Sequence, residues 1–255
     1  MTFNNYYADA ENYYMSGEYE KALVAFEKSL EFEESFDSLN YIGCCYLELE
    51  EVNSAIKIFN NILEKCHDWE RPIFNLGRAY LKLGQFENAL ECFKEAVAVN
   101  HNSEDAFYYL GIYYYEVGEY QEAIKCYIKS LNIDNTQSET HLNLGTCYIE
   151  LDMYVKAFNE FELAYKYNNN CKYAIKNMGL VLIILKKYAK ALEKFLMYNN
   201  LDANDSNNIM NIAHCYYKIN DLDNAYNWVN KVILIDSENK TAKKLLKIII
   251  SKKGE

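Results

Sequence analysis

The sequence has no excess of basic residues: 26 lysines and arginines face 37 aspartates and glutamates, for a formal net charge of -11. A protein that binds the phosphate backbone of a nucleic acid needs a basic face, so we expect no nucleic-acid partner. Long apolar runs are missing as well. The longest, Leu180–Leu185, is far shorter than the ~20 residues that cross a bilayer, and we expect no membrane insertion.

Signals for export and for disulfide bonding are also weak. The N-terminal stretch MTFNNYYADAENYY has neither a positive start nor an apolar segment, so we expect no signal peptide and a cytoplasmic location. Eight cysteines occur without a CxxC spacing, and Cys44 and Cys45 are adjacent rather than spaced as metal ligands. Cys45, Cys147 and Cys215 each follow a small residue of a repeat by two positions, which indicates packing cysteines.

Catalytic motifs are missing too. The sequence contains no Gly-rich phosphate loop, no HExxH and no GxSxG. The four histidines are far apart in sequence, and we expect His141 to occupy a core position. We therefore expect no enzymatic activity, no metal site and no cofactor.

What the sequence does contain is a period of 34 residues. A first series of small residues keeps this step, and a second series of alanines keeps it as well, with its first member one residue closer. A large apolar side chain follows each of these alanines by four residues. The first series is Gly43, Gly77, Gly111, Gly145, Gly179 and Ala213; the second is Ala22, Ala55, Ala89, Ala123, Ala157, Ala191 and Ala225; the third is Phe26, Phe59, Phe93, Tyr127, Phe161, Phe195 and Val229. Seven units in register predict a repeat architecture.

Each unit reads as two helices joined by a turn. In IFNLGRAYLKLG, the residues Ile73, Leu76, Gly77 and Tyr80 follow the spacing of one helical face, and the second helix repeats this pattern around Phe93. The turns are expected at Gly84, Gly118 and the polar equivalents Glu50, Asp152 and Asn220. A glycine or alanine lets the partner helix approach and accept the aromatic ring. Because helices this short are marginal alone in water, stacking must bury their apolar stripes.

The stretch NLGRAYLKLGQFENALECFKEA resembles the tetratricopeptide repeat, a 34-residue helix–turn–helix, and the resemblance covers about residues 3–239. It implies an all-α fold: a tetratricopeptide-repeat α-solenoid of seven helix–turn–helix repeats in a right-handed superhelix plus a C-terminal capping helix, as one domain over 1–255. The expected repeats are 3–36, 37–69, 70–103, 104–137, 138–171, 172–205 and 206–239, with the capping helix at 240–253. The family's usual tryptophan and its terminal proline are absent.

The C-terminal stretch TAKKLLKIIISKK places Ala242, Leu245, Leu246 and Ile249 on one helical stripe with lysines elsewhere. Because the end of a solenoid needs a polar outer cover, we interpret this segment as a cap. The alternative that its lysines meet an anionic surface is compatible with that interpretation.

The resemblance also points to a site, because in tetratricopeptide repeats the first helices line a groove that holds peptides. Directly before the Leu-Gly pair or its equivalent stand Asn75, Asn143, Asn177 and Asn211. An asparagine amide offers both a donor and an acceptor, so this ladder is a candidate for pairing with the backbone of a bound peptide. The alternative is that these asparagines have no role in binding.

Charged residues add to the candidate groove. Arg71, Arg78 and Lys82 lie at i, i+7 and i+11, on one side of one helix, and we expect them to grip an acidic side chain or a C-terminal carboxylate. Lys176 and Lys218 follow in later repeats.

Tyrosines provide candidate aromatic anchors. Tyr108 and Tyr109 diverge by about 100°, so at least one is expected to face the groove. Tyr115 lies nearby, although packing against the next repeat is an alternative role for these rings.

Three functions remain open at this stage. The first is an adaptor or scaffold that binds a segment of another protein, the second is a peptide-sensing regulatory receptor, and the third is a chaperone for an export or assembly client. Charge changes from -10 over residues 1–69 to +3 over residues 206–255, so head-to-tail self-association is a further hypothesis.

Overall fold

Every regular element in residues 2–254, the part of the chain that the computed structural model describes, is an α-helix. This confirms the all-α prediction. The fifteen helices of these residues are α1 Phe3–Met15, α2 Tyr19–Leu30, α3 Phe36–Glu48, α4 Val52–Lys65, α5 Glu70–Lys82, α6 Phe86–Val99, α7 Glu104–Glu116, α8 Tyr120–Ile133, α9 Ser138–Glu150, α10 Tyr154–Tyr167, α11 Lys172–Ile184, α12 Tyr188–Leu201, α13 Ser206–Lys218, α14 Leu222–Ile235 and α15 Lys240–Lys253.

The helices fall into two compact units, residues 1–133 and 134–255. The first unit holds α1–α8 as four antiparallel pairs, and the second holds α9–α14 as three pairs followed by α15. In both units the two helices of a pair pack on each other, and the second helix of a pair packs on the first helix of the next pair in that unit. The pairs begin and end within a few residues of the seven expected repeats, while the expectation of one domain over the whole chain stays a prediction.

The glycines of the repeat lie where the two helices of a pair come closest. A Cβ atom added to Gly77 would stand 2.6 Å from Cε1 of Phe93, and one added to Gly145 would stand 2.6 Å from Cε1 of Phe161. Such a separation is shorter than van der Waals contact, so only glycine permits the ring to lie there. The predicted acceptance of an aromatic ring by a small residue is confirmed.

The turns between paired helices share one backbone conformation. A residue with positive φ stands in each turn, from φ 57° at Asp152 to φ 82° at Gly118. The series is Gly17, Glu50, Gly84, Gly118, Asp152, Lys186 and Asn220. All five turn positions predicted from the sequence belong to it. All seven residues adopt a left-handed conformation that normally favours glycine, and four of them are not glycine.

Three cysteines and one histidine are buried at positions that the repeat predicts. Cys45, Cys147 and Cys215 are fully buried, and burial raises the pKa of each thiol to about 12, so they are packing residues as predicted. His141 is 5% exposed and takes the expected core position. Its Nδ1 lies 2.7 Å from Oε2 of Glu160, and its Nε2 lies 3.1 Å from the backbone oxygen of Asn135.

The last helix covers the apolar end of the second unit. α15 buries Ala242, Leu245 and Ile249 against α14 and exposes Lys243, as expected of a cap, while Leu246 is half-buried. No helix within residues 2–254 is long and apolar enough to cross a membrane.

Candidate functional site

An open cavity of about 420 Å³ lies within the first unit, on the surface formed by α1, α3, α5 and α7. We call it the first-unit groove. These are the leading helices of the four pairs, the elements that the sequence predicted to line a binding surface. Its lining includes Tyr14 of α1, Asn40 and Tyr41 of α3, Asn75 and Arg78 of α5, and Asp105 of α7.

Asn75 faces this groove because of its position along the helix, two residues before Gly77. Gly77 must face the ring of Phe93, and a residue two positions earlier is rotated about 200° from it. Asn75 is nevertheless only 5% exposed, because its Nδ2 donates a 3.1 Å hydrogen bond to Oδ1 of Asn40, itself 6% exposed. The structure therefore joins two asparagines of adjacent pairs to each other.

The three basic residues of α5 all have acidic partners from the preceding pair. Nη2 of Arg78 lies 3.0 Å from Oε1 of Glu48, and its Nη1 donates to Oδ1 of Asn75 at 3.3 Å. Nζ of Lys82 lies 2.8 Å from Oε1 of Glu50.

Arg71 forms a longer, largely exposed pair with Asp37, at 3.9 Å. Of the three basic residues, Arg71 and Arg78 line the groove. Their role as a grip for a carboxylate stays a prediction, and an incoming acid would compete with carboxylates already present.

Aromatic rings form one wall of the same region. The ring centroids of Tyr109 and Phe74 are 5.2 Å apart, and the Arg78 guanidinium lies over both rings at 5.7 Å and 6.0 Å. Tyr108 packs edge-on against Tyr109 with a centroid distance of 5.3 Å. Tyr115 contacts the ring of Tyr120 instead, at 5.5 Å, within its own pair.

Carboxylates at the start of two leading helices complete the lining. Glu70 opens α5 and accepts a 2.6 Å hydrogen bond from Oγ of Ser103, while Glu104 and Asp105 open α7. Desolvation on this concave surface, followed by the neighbouring charge of Glu104, raises the pKa of Asp105, and Arg78 offsets part of the effect.

The remaining predicted site residues belong to the second unit. Asn177 and Asn211 are half-buried on the successive leading helices α11 and α13, and neither amide forms a hydrogen bond within residues 2–254. Asn143 is half-buried on α9. Nζ of Lys176 lies 2.7 Å from Oδ2 of Asp205.

Lys218 is exposed at the end of α13, with its Nζ 5.8 Å and 5.9 Å from the ring centroids of Tyr188 and Tyr217. Because the amides of Asn177 and Asn211 form no hydrogen bond among the described residues, they stay candidates for pairing with a peptide, and the asparagine ladder of this unit stays a prediction.

Sequence reasoning missed Asn40, Ser103 and the carboxylates that pair with α5. Asn40 stands 35 residues before Asn75, and Glu48 stands 30 before Arg78. Neither separation equals the 34-residue period, because side chains reach diagonally between neighbouring helices. Opposite charges at separations close to the period were the available signal for Asp37 and Arg71, which are 34 residues apart.

The paired helices, the buried glycine–aromatic contacts and the repeated left-handed turns define an α-solenoid of helix–turn–helix repeats. Comparison with known families agrees. A family profile described as TPR repeat matches residues 77–118 and 113–152, and a profile described as tetratricopeptide repeat matches residues 207–239. Tetratricopeptide repeats are therefore present in this chain, as the sequence resemblance implied.

Solved structures with the same fold are numerous. YrrB, described as a TPR protein with an unusual peptide-binding site, has a TM-score of 0.68 and 21% identity over 74% of this chain and 97% of its own. PilF of Pseudomonas aeruginosa has a TM-score of 0.71 and 16% identity over 85% of this chain and 97% of its own.

The APC/C hetero-tetramer Cut9–Hcn1 gives a TM-score of 0.70 and 18% identity over 94% of this chain but 48% of that chain. Similarity at such low identity shows the fold alone. No curated protein matches the sequence.

Proposed function

We propose that this chain is a non-catalytic, cytoplasmic adaptor or scaffold that binds a peptide segment of a partner protein in the first-unit groove. The tetratricopeptide-repeat fold supports a protein–protein interaction module in general. The single observation that carries the finer proposal is the open cavity of about 420 Å³, because it combines aromatic walls with polar side chains. Such a combination suits a ligand with both apolar side chains and backbone amides.

The chemistry of the lining favours a polypeptide over a metal ion or a cofactor. Asn40 and Asn75 offer amide groups, Tyr14 and Phe74 offer ring surfaces, and charged side chains lie at the rim. The eight cysteines are free thiols, five of them buried, which supports a reducing compartment such as the cytoplasm. YrrB is described as having a peptide-binding site, and we extend that class of ligand to this chain.

The test is selection of peptides of about twelve residues from a random displayed library on the immobilised full chain. Each enriched peptide is then titrated against wild type and against Arg71→Ala/Asp105→Ala, which removes two exposed groove residues of opposite charge. The matched control is Lys94→Ala/Glu95→Ala, a pair of opposite charges exposed on α6 outside the groove. We expect the groove variant, and not the control, to weaken binding.

Loss of binding in neither variant, or in both equally, would refute the groove as the binding site. Circular dichroism of all three proteins verifies that the helices are intact.

The alternative functions, a peptide-sensing receptor and a chaperone, stay hypotheses. A partner effector protein that responds to the peptide would favour the first, and rescue of an otherwise insoluble client would favour the second.

Head-to-tail self-association also remains a proposal, supported by the charge difference between the first unit, with 23 acidic and 10 basic residues, and the second, with 14 and 16. A monomer in sedimentation velocity at low salt and high concentration would refute it.

A further inference from the structure

We propose that the first-unit groove selects peptide segments rich in lysine and arginine. This inference rests on the function proposed above and adds the chemical class of the ligand. It is opposite in sign to the carboxylate grip that the basic residues of α5 predict, and the reason lies in how the structure pairs the charges.

The charges of the groove do not cancel. Both arginines that line it already face carboxylates: Arg78 pairs with Glu48 at 3.0 Å, and Arg71 lies 3.9 Å from Asp37. Removing these balanced pairs from the count leaves the lining carboxylates Glu70, Glu104 and Asp105 without a compensating positive charge. The groove therefore has a net negative charge before any ligand arrives.

Two of these carboxylates have free acceptor capacity. Among residues 2–254, no lysine, arginine or histidine nitrogen lies within 4.0 Å of the carboxylate of Glu104 or Asp105, and neither accepts a hydrogen bond. Asp105 also has a raised pKa through desolvation and the charge of Glu104, an effect that the charge of Arg78 offsets only in part. A cationic side chain in the groove would supply that partner.

The position of Arg71 in the repeat also favours a basic ligand in the groove. Asp37, Arg71 and Asp105 stand 34 residues apart, at the same position of three successive pairs, so Arg71 occupies the position between two acids. Glu70 and Glu104 form a second column with the same spacing. A lysine or arginine of an incoming peptide continues the alternation of charge, whereas an aspartate or glutamate faces like charges on both columns.

An unused amide donor indicates where the peptide backbone would bind. Asn40 is 6% exposed, lines the groove and uses its Oδ1 to accept from Asn75. Its Nδ2 donates no hydrogen bond within the described residues and is accessible from the groove rather than buried. A peptide carbonyl oxygen in the groove would satisfy it.

Neighbouring aromatic rings suit the same ligand. Tyr14 and Tyr41 line the groove with ring centroids 5.3 Å apart in an edge-to-face contact. Lysine and arginine side chains bind such rings through their apolar stems and through cation–π attraction. The groove thus offers carboxylates, ring faces and an amide donor to a single basic segment.

The net charge of the first unit also favours a basic ligand, and its effect extends beyond the groove. The first unit holds 23 acidic and 10 basic residues, a net charge of -13, whereas the second is close to neutral with 14 and 16. A basic segment would be attracted to the first unit before contact, and this attraction would weaken as salt screens it.

The experiment analyses the peptides selected on the full chain for charge, and titrates the strongest with two variants. Glu70→Gln/Glu104→Gln/Asp105→Asn neutralises the groove. Its matched control, Glu20→Gln/Glu87→Gln/Glu122→Gln, neutralises three carboxylates in the first turns of the trailing helices α2, α6 and α8 of the same unit. Both variants raise the net charge by three, and both remove carboxylates from helix N-termini, so a general electrostatic or stability effect would appear in both.

We expect the selected peptides to be enriched in lysine and arginine over the starting library. The groove variant should weaken binding by about tenfold, as loss of three partly exposed ion pairs implies, and the control by less than about twofold.

Peptides that bind the groove, as defined by loss in Arg71→Ala/Asp105→Ala, but are neutral or acidic would overturn the basic preference and leave the proposed function standing. Equal weakening in the two neutralising variants would show attraction to the whole unit and would also overturn it. The absence of any groove-dependent peptide would overturn both proposals.

Discussion

The hydrogen bond between Asn40 and Asn75 joins the leading helices of two successive pairs, and a double-mutant cycle can measure it. The cycle comprises Asn40→Ala, Asn75→Ala and the double variant. Both side chains are more than nine-tenths buried, and Nδ2 of Asn75 lies 3.1 Å from Oδ1 of Asn40. Each single truncation leaves a buried amide group without its partner, whereas the double variant removes both groups.

The magnitudes follow from the groups left behind. Asn75→Ala deprives Oδ1 of Asn40 of its donor, at a cost of about 1–3 kcal/mol, and removes a weaker 3.3 Å acceptor of Arg78. Arg78 keeps its ion pair with Glu48, so we expect about 2–3 kcal/mol in total. Asn40→Ala should cost about 1–2 kcal/mol, because Asn75 keeps its bond to Arg78. The double variant should be less destabilised than the sum by about 1–2 kcal/mol.

The assay exploits the two tryptophans of the chain, one in each unit. Repeat arrays need not unfold in a single step, so a reporter confined to the first unit is required. In a Trp228→Phe background the fluorescence of Trp69 follows that unit during guanidinium unfolding, while circular dichroism follows all helices. The control is Asn177→Ala/Asn211→Ala in the second unit, which is followed by the fluorescence of Trp228 in a Trp69→Phe background. These amides form no hydrogen bond in the described part of the chain and should each contribute less than about 0.5 kcal/mol.

Additive single effects would refute the reasoning, because they would mean that neither amide depends on the other. A loss in Asn75→Ala no larger than in the control would refute it as well. In that case the buried pair would be replaced by hydration from the groove at no net cost.

Three further perturbations test the repeat itself. Gly77→Ala forces a Cβ to 2.6 Å from the ring of Phe93 and should destabilise the first unit by about 1–3 kcal/mol, with the loss reduced in a Phe93→Leu background; equal losses in both backgrounds would contradict this. Lys186→Gly relieves a left-handed turn at φ 58° and should stabilise the second unit by about 0.5 kcal/mol in denaturant melts, whereas a loss would show that the turn is unstrained. Burial, and to a smaller extent the charge of Lys218, lowers the pKa of His214. The contribution of His214 to stability is therefore complete above its ordinary pKa of about 6.5 and is lost as pH falls. His214→Gln should flatten the acid side of the curve of unfolding free energy against pH, and an unchanged curve would contradict the assignment.

The periodic features of the fold were predictable because each is imposed by local geometry at every repeat. A ring such as Phe93 requires a residue without a Cβ at Gly77, and a turn between antiparallel helices requires one left-handed residue. The turn residue recurs in all seven units and the glycine–ring contact in five of them, so both leave a visible series in the sequence. The same logic made Glu50 and Asp152 recognisable as turn residues even though they are not glycine.

The partners of the candidate site were not predictable in this way. A helical pattern indicates which face a side chain occupies, but the reach and rotamer of that side chain decide its contact. Asn75 is predicted to contact a ligand, and the pattern does not show the partner that the structure gives its amide, Oδ1 of Asn40. Likewise, the clustering of the basic residues of α5 predicts a site for a carboxylate, but it does not show that carboxylates of the preceding pair already lie beside them.

The charge of the groove illustrates why a repeat protein must be analysed by columns as well as by units. Within one repeat, Arg71 and Arg78 suggest a basic site, and the net charge of the chain says only that it is acidic. Along the columns, each arginine has an acidic residue of the preceding pair beside it, and Asp105 follows with no basic partner within 4.0 Å among the described residues. Positions tied to the glycine–aromatic contact must stay constant for the stack to form, so ligand specificity is confined to columns such as this one. The negative charge of this groove therefore comes from carboxylates of two columns that have no basic partner within 4.0 Å among the described residues, namely Glu70, Glu104 and Asp105.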